Sequence, residues 1–217
     1  MNTRSSHGRH LTNSLAASMV FLATVASTGA AEVFTFDDLP SGSFGLVAPI
    51  YDGEYWNNFD YADGTVPPYS NSGYGAGVVS PNNVVLNDQG HVAQMSSPGY
   101  FDLVSAYLTG AWNDGLNVEV KGFVGITLLY DNTYTVNATG PTLVNFNYVG
   151  ISRVEFSSFG GTPHPGYGLY GSGEQFVMDN LTIEPMPEPS SALVLGGCLL
   201  LSLLERNRRM DKTRKRQ

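Results

Sequence analysis

Tyr51, Tyr55, Trp56 and Tyr61 fall within one short stretch, with Asp52, Glu54, Asn57, Asn58 and Asp60 interleaved among them. Sugar rings stack their apolar faces on aromatic side chains of this kind, while neighbouring amides and carboxylates hold the hydroxyls. Tyr51, Tyr55, Trp56 and Tyr61 are therefore candidate carbohydrate-binding residues. The same ring types also plug the core of a small domain, because aromatic side chains dominate burial. Further aromatic residues lie at Phe59, Tyr69 and Tyr74, at Tyr167 and Tyr170, and at Trp112.

A second chemistry rests on carboxylates. In the run Phe176 to Ile183, strand alternation puts Val177, Asp179, Leu181 and Ile183 on one face. A carboxylate in an apolar row is costly unless it is paired or holds a metal. Lys121 and Arg153 are the only basic residues between positions 32 and 184, so few acids have an ion-pair partner. Calcium takes about six to eight oxygen ligands and suits Asp side chains with loop carbonyls. Asp37, Asp38 and Asp179 are the candidate ligands of such a structural calcium. The alternative is that Asp179 sits at the rim and hydrogen-bonds a neighbouring turn.

Catalysis finds little in the sequence. There is no His-Glu-x-x-His, no Gly-x-Ser-x-Gly and no phosphate-cradling loop. The single cysteine, Cys198, lies in a C-terminal apolar run. His91 and His164 have no partner at metal-ligand spacing, and no catalytic residue is assigned. Paired carboxylates that hydrolyse glycosides are the alternative chemistry, since sixteen acids offer many pairings.

The elements that must position these residues read as strands. Segments of four to ten residues alternate with period two, from Val33–Phe36 through Asn83–Leu86, His91–Met95, Phe101–Thr109, Leu116–Lys121, Val124–Tyr130, Thr133–Val136, Thr142–Tyr148 and Ser152–Phe156 to Gln175–Ile183. Turn residues separate them, among them Asn87-Asp88-Gln89-Gly90, Asn113-Asp114-Gly115 and Asp131-Asn132. No window carries a helical apolar stripe. The expected fold is a single all-β antiparallel sandwich, or jelly roll, over residues 32–184. Residues 41–80 and 160–173 read as its long loops. Sixteen Asp and Glu against two basic residues give this segment a net charge of −14. Such a surface repels nucleic acid, whose binding needs Lys and Arg.

Both ends of the chain read as export signals. Arg4 and Arg9 precede an apolar stretch from Leu15 to Ala26 and small residues to Ala31, the pattern of a signal peptide over residues 1–31. Residues 185–217 have three parts: Pro187-Glu188-Pro189, an apolar segment at 191–204, and a basic tail at 205–217 that includes Arg206, Arg208 and Arg209. The basic tail orients the apolar segment with its C-terminus in the cytoplasm.

This three-part tail resembles the PEP-CTERM sorting signal of bacterial surface proteins. The resemblance implies processing by an exosortase at Pro187, Glu188 and Pro189, a transient inner-membrane anchor, and delivery to the cell surface or exopolysaccharide matrix. The order Phe34-Thr35-Phe36-Asp37-Asp38, Phe101 to Leu108 and Phe176 to Ile183 is similar to galactose-binding-like and carbohydrate-binding-module jelly rolls. That resemblance implies first and last strands side by side, with calcium where they meet. The expected protein is an exported, non-enzymatic sandwich with carbohydrate as candidate ligand. A secreted polysaccharide hydrolase is the alternative.

Overall fold

A computed structural model describes residues 29–169 and 171–186; residues 1–28, most of the expected signal peptide, and the tail from Pro187 onward, which carries the expected sorting signal, lie outside the described residues. Within the described residues the regular structure is almost all strand. The first strands are short: β1 (Glu32–Phe34), β2 (Phe44–Leu46), β3 (Ile50–Tyr51), β4 (Glu54–Asn57), β5 (Phe59–Asp63) and β6 (Asn83–Asn87). The later ones include long spans: β7 (Ala93–Gly110), β8 (Asn113–Asp114), β9 (Leu116–Val124), β10 (Thr127–Val136), β11 (Thr142–Phe159), β12 (Thr162–Pro163) and β13 (Phe176–Pro185). One short helix, α1 (Gly73–Ala76), joins them. No described helix is long and apolar enough to cross a membrane.

The two longest strands build both layers. The later part of β11, Arg153–Phe159, pairs with β9, and Arg153–Phe156 pair on the other side with the start of β7, which pairs in turn with β4. One layer therefore runs β10-β9-β11-β7-β4-β3. The earlier part of β11 pairs with Phe101–Leu108 of β7, and β13, β6, β5 and β2 follow. The β7–β11 ribbon thus belongs to both layers and bends between them, where its register shifts around Tyr148, Ile151 and Arg153. Gly150 supplies a positive φ of 68° at that bend, which only glycine adopts freely. Phe146 of one layer meets Phe156 of the other at 6.2 Å, and Phe176 meets Phe156 at 5.8 Å. The fold is an antiparallel β-sandwich. β1 pairs with β13, Glu32 opposite Ile183, so the first and last strands lie side by side.

Several boundaries differ from the alternation pattern. The expected strands at 91–95 and 101–109 are one strand, as are those at 142–148 and 152–156. Asp131-Asn132 is not a turn. Asp131 lies opposite Lys121 within β10, and the chain reverses at Gly125-Ile126 instead. The expected loop at 41–80 contains β2 to β5 and α1.

The expected face of β13 is also corrected. Met178, Leu181 and Ile183 point into the main core, whereas Val177 belongs to a second apolar cluster with Ala62, Tyr74, Val84, Leu86, Ala111 and Trp112. A register shift between Asp179 and Thr182, with Asn180 at φ 51°, changes the face midway along the strand. Val177 and Asp179 therefore lie on the outer face, beneath the segment that carries α1.

Candidate functional site

Trp56 does not stand on a binding platform. It is 4% exposed, and its ring makes edge contacts with Phe34, Phe36 and Phe59 at 5.4, 5.6 and 5.2 Å. Its Nε1 donates to the Tyr51 carbonyl at 3.0 Å. Tyr61 is also buried. Strand alternation explains both: β4 exposes Tyr55 and buries Trp56, while Phe59 and Tyr61 share the inner face of β5. Tyr51 packs against the core, and its hydroxyl donates to Asp38 Oδ1 at 2.5 Å. Only Tyr55 of the four projects as an exposed ring.

The three candidate calcium ligands have separate tasks. Asp179 is fully buried, and both its oxygens face donors. Oδ2 accepts from the Val79 and Ser80 amides at 2.7 and 2.9 Å, and Oδ1 accepts from Ser80 Oγ at 2.9 Å and the Asn180 amide at 2.7 Å. Burial pushes its carboxyl up, and these donors pull it back. Asp37 Oδ1 accepts from the Asn82 and Asn83 amides at 2.9 and 3.1 Å. Asp38 is exposed and bonded to Tyr51. Among the described residues, no group of three or more His, Cys, Asp or Glu is arranged to hold a metal ion. The N–H groups around Asp179 point their hydrogens where a cation would sit, so this carboxylate anchors the turn at 79–80.

The structure instead opens a cleft at the end of the sandwich where β7 finishes. Its volume is about 480 Å³, with Ser70, Asn71 and Ser72 on one side and Pro165, Gly166 and Tyr167 on the other. The first wall is fixed by α1. Ser72 caps it, accepting from the Tyr74 amide at 3.3 Å and donating to the Tyr69 carbonyl at 2.7 Å. A Cβ on Gly73 would overlap the Gly110 carbonyl oxygen, and the Gly73 amide donates to Ala111 at 2.9 Å. Glycine is what lets this wall lie on the sheet. Behind it Tyr74 meets Trp112 edge-on at 5.4 Å.

The second wall hangs on β8 and β12. His164 donates its amide to the Trp112 carbonyl at 2.8 Å, and its Nδ1 lies 2.6 Å from Asp114 Oδ2. Asp114 Oδ1 accepts from the Ala138 amide at 2.9 Å. The His164 hydrogen bond, with that amide, holds the Asp114 carboxyl below its usual range. The Tyr167 ring packs on His164 at 4.5 Å, and its hydroxyl donates to the Ala138 carbonyl at 3.3 Å. The sequence showed His164, Tyr167 and the loop at 160–173 only as separate features. Ser70, Asn71 and Ser72 gave no signal, because a four-residue helix leaves no periodic trace. Among the described residues no carboxylate lines this cleft, whereas glycoside hydrolysis uses two that flank the bond.

A carboxylate pair exists elsewhere, on the outer face of β5. Asp60 pairs with Leu86, and Phe59 with Asn87, which makes Asp60 and Asp88 diagonal neighbours. Asp60 is 4% exposed, and its Oδ1 has no hydrogen-bond partner. Burial first, and then Asp88, push its carboxyl up from 3.8 to about 6. The folded chain therefore holds this proton more tightly than the unfolded chain. Its contribution to stability is complete below the unfolded value of 3.8 and is lost as pH rises through about 6. Asp60→Asn is expected to stabilise the domain by on the order of 2 kcal/mol at pH 7.5 and to do little at pH 4, by urea denaturation at both. An equal effect at both pH values would show that Asp60 is not protonated by the fold.

Fold and cleft together define the protein as an antiparallel β-sandwich with an open polar cleft at one end. No protein-family model matches the chain, and no curated protein matches it. Solved structures are similar to it at low identity, two of them carbohydrate-binding modules by their descriptions. A structure of TmCBM61 in complex with beta-1,4-galactotriose is 10% identical at a TM-score of 0.31, covering 64% of this chain and 97% of that one. A structure described as "CBM4 structure and function" is 15% identical at a TM-score of 0.33, covering 70% of this chain and 97% of that one. Likenesses this low carry no argument about the ligand, which rests on the cleft itself.

Proposed function

We propose that the chain is an exported, non-catalytic carbohydrate-binding sandwich whose cleft between residues 70–76 and 165–167 takes a neutral saccharide. The observation that carries this reading is the cleft's lining: the exposed Ser70 hydroxyl and Asn71 amide on one wall, the Tyr167 ring on the other, and, among the described residues, no charged side chain. Hydroxyl and amide groups serve a polyhydroxylated ligand as both donors and acceptors. The net charge of −14 on residues 32–184 disfavours acidic polymers. The cleft replaces Trp56 and Tyr61 as the binding surface. Export rests on the N-terminal signal pattern, and surface or matrix retention on Pro187-Glu188-Pro189 with the apolar segment and basic tail, read by an exosortase.

A glycan array on protein isolated from the cell surface tests both halves. Mass spectrometry of that material is expected to show the Arg-rich tail removed. Tyr167→Ala is expected to weaken saccharide binding about tenfold, roughly 1.4 kcal/mol, with a much smaller loss of melting temperature than Trp56→Ala. Binding should persist in about 1 M salt, where charge pairing is screened. Saccharide binding that survives Tyr167→Ala would remove the cleft from the account.

A further inference from the structure

The opposite end of the sandwich is apolar. The β9–β10 hairpin turns there at Gly125-Ile126, and residues 122–130 read Gly-Phe-Val-Gly-Ile-Thr-Leu-Leu-Tyr with no charged side chain. Ile126 is 97% exposed, and Leu128, Leu129 and Val149 are about half exposed. The patch is continuous with the bend of the β7–β11 ribbon. Tyr130 Oη accepts from the Val149 amide at 3.1 Å, and the Gly125 amide donates to Ser152 Oγ at 3.2 Å. A contiguous exposed apolar patch of this kind marks an interaction surface.

The end of the described chain says what covers it. Met186 leaves β13 at this same end. Its amide donates to the carbonyl of exposed Tyr100 at 2.8 Å, and its Sδ lies 3.7 Å from where a Gly150 Cβ would stand. Only Pro187 to Ser191 separate Met186 from the apolar run that starts at Ala192. Five residues, even fully extended, reach roughly 17 Å. If that run enters a bilayer, this end of the sandwich faces the bilayer surface.

We propose that the hairpin tip, with Ile126, Leu128, Leu129, Val149 and Met186, docks into the outer surface of the same bilayer that takes residues 192–204. The proposal rests on reading that run as a membrane segment. Charge selects the lipid. Lys121 and Arg153, the only basic residues from 32 to 184, lie on strands that meet at this tip, with the Arg153 guanidinium 4.2 Å above the Phe123 ring. Asp102 and Glu184 sit nearby, opposite each other across β7 and β13. The surface is apolar with mixed charge at its margin, and it suits zwitterionic rather than anionic headgroups. The later part of β7, Phe101 to Gly110, spans roughly 30 Å, so the docked domain holds its cleft that far above the lipid.

The test uses the full chain in phosphatidylcholine vesicles with brominated acyl chains. Ile126→Trp places a reporter at the tip, and Leu169→Trp, 90% exposed at the cleft end, is the control. Trp56 and Trp112 are at most 9% exposed, and the parent chain supplies their background. The expected result is at least twofold stronger quenching at position 126 than at 169, reduced by Leu129→Asp. Co-flotation with equal, weak quenching at both positions overturns the docking and leaves the membrane segment standing. Failure to co-float overturns the membrane segment and the docking with it. A concentration-dependent blue shift at 126 without bromine quenching assigns the patch to a second copy of the chain and overturns the lipid proposal.

Discussion

Trp56→Ala is expected to cost about 3–5 kcal/mol, a large share of the stability of a single domain, which is worth only about 5–15 kcal/mol in all. Trp56 is the hub of an aromatic group in which Phe34, Phe36, Tyr51 and Phe59 all lie within 6.0 Å, centroid to centroid. Removing it opens a cavity between β1, β4 and β5 and frees the Tyr51 carbonyl that its Nε1 holds. Urea denaturation should show the loss, and Trp56→Phe should recover part of it. The contrast with Tyr167→Ala is informative. Tyr167 is partly exposed at the cleft, with contacts only to His164, Ala138 and the edge of the second cluster, so its loss should affect ligand binding far more than stability. A Trp56→Ala protein that folds normally and fails only to bind saccharide would restore the platform at 51–61.

Asp179→Ala is expected to cost about 3–5 kcal/mol, the order seen when one partner of a buried, hydrogen-bonded charge is deleted. It leaves the Val79, Ser80 and Asn180 amides and the Ser80 hydroxyl without their acceptor. The segment over the outer face of β13 loses its anchor, and the cleft wall built on α1 follows it. Asp179→Asn should cost less, because one carbonyl oxygen still accepts. The melting temperature of the parent protein should be the same in calcium and in chelator, and the loss on Asp179→Ala should be the same in both. A calcium-dependent rise that disappears with Asp179→Ala would return the metal to this site.

Most of the sandwich was legible because strands with one buried face write their period into the chain. Val118 and Val120, or Val144, Phe146 and Tyr148, announce their face directly. The misreadings came where turn residues do other work. Pro98, Gly99 and Gly150 bend a ladder that continues, and Asn132 stays in β10 with its Nδ2 donating to the Tyr148 hydroxyl at 2.9 Å. β5 was missed because its polar residues are buried. Asp63 accepts from the Gly42 amide at 2.6 Å and the Thr65 amide at 2.9 Å, contacts distant or irregular in sequence. The face of Asp179 was misjudged because a single bulge at Asn180 inverts the alternation, and nothing in Val-Met-Asp-Asn-Leu announces it. The candidate site was least legible. Its walls come from segments nearly a hundred residues apart, and only Tyr167 stood out beforehand.

β13 is hydrogen-bonded along both edges, to β7 on one side and to β6 and β1 on the other. The chain leaves it at Met186, at the end away from the cleft. On the proposed function, with a polymer held at the cleft and the C-terminal segment as the tether, tension runs along this strand. The load then shears the flanking ladders, so that many hydrogen bonds bear it together instead of parting one after another. On that function β13 becomes a mechanical spine, with the proposed grip and the proposed tether at opposite ends of the element best able to carry force between them.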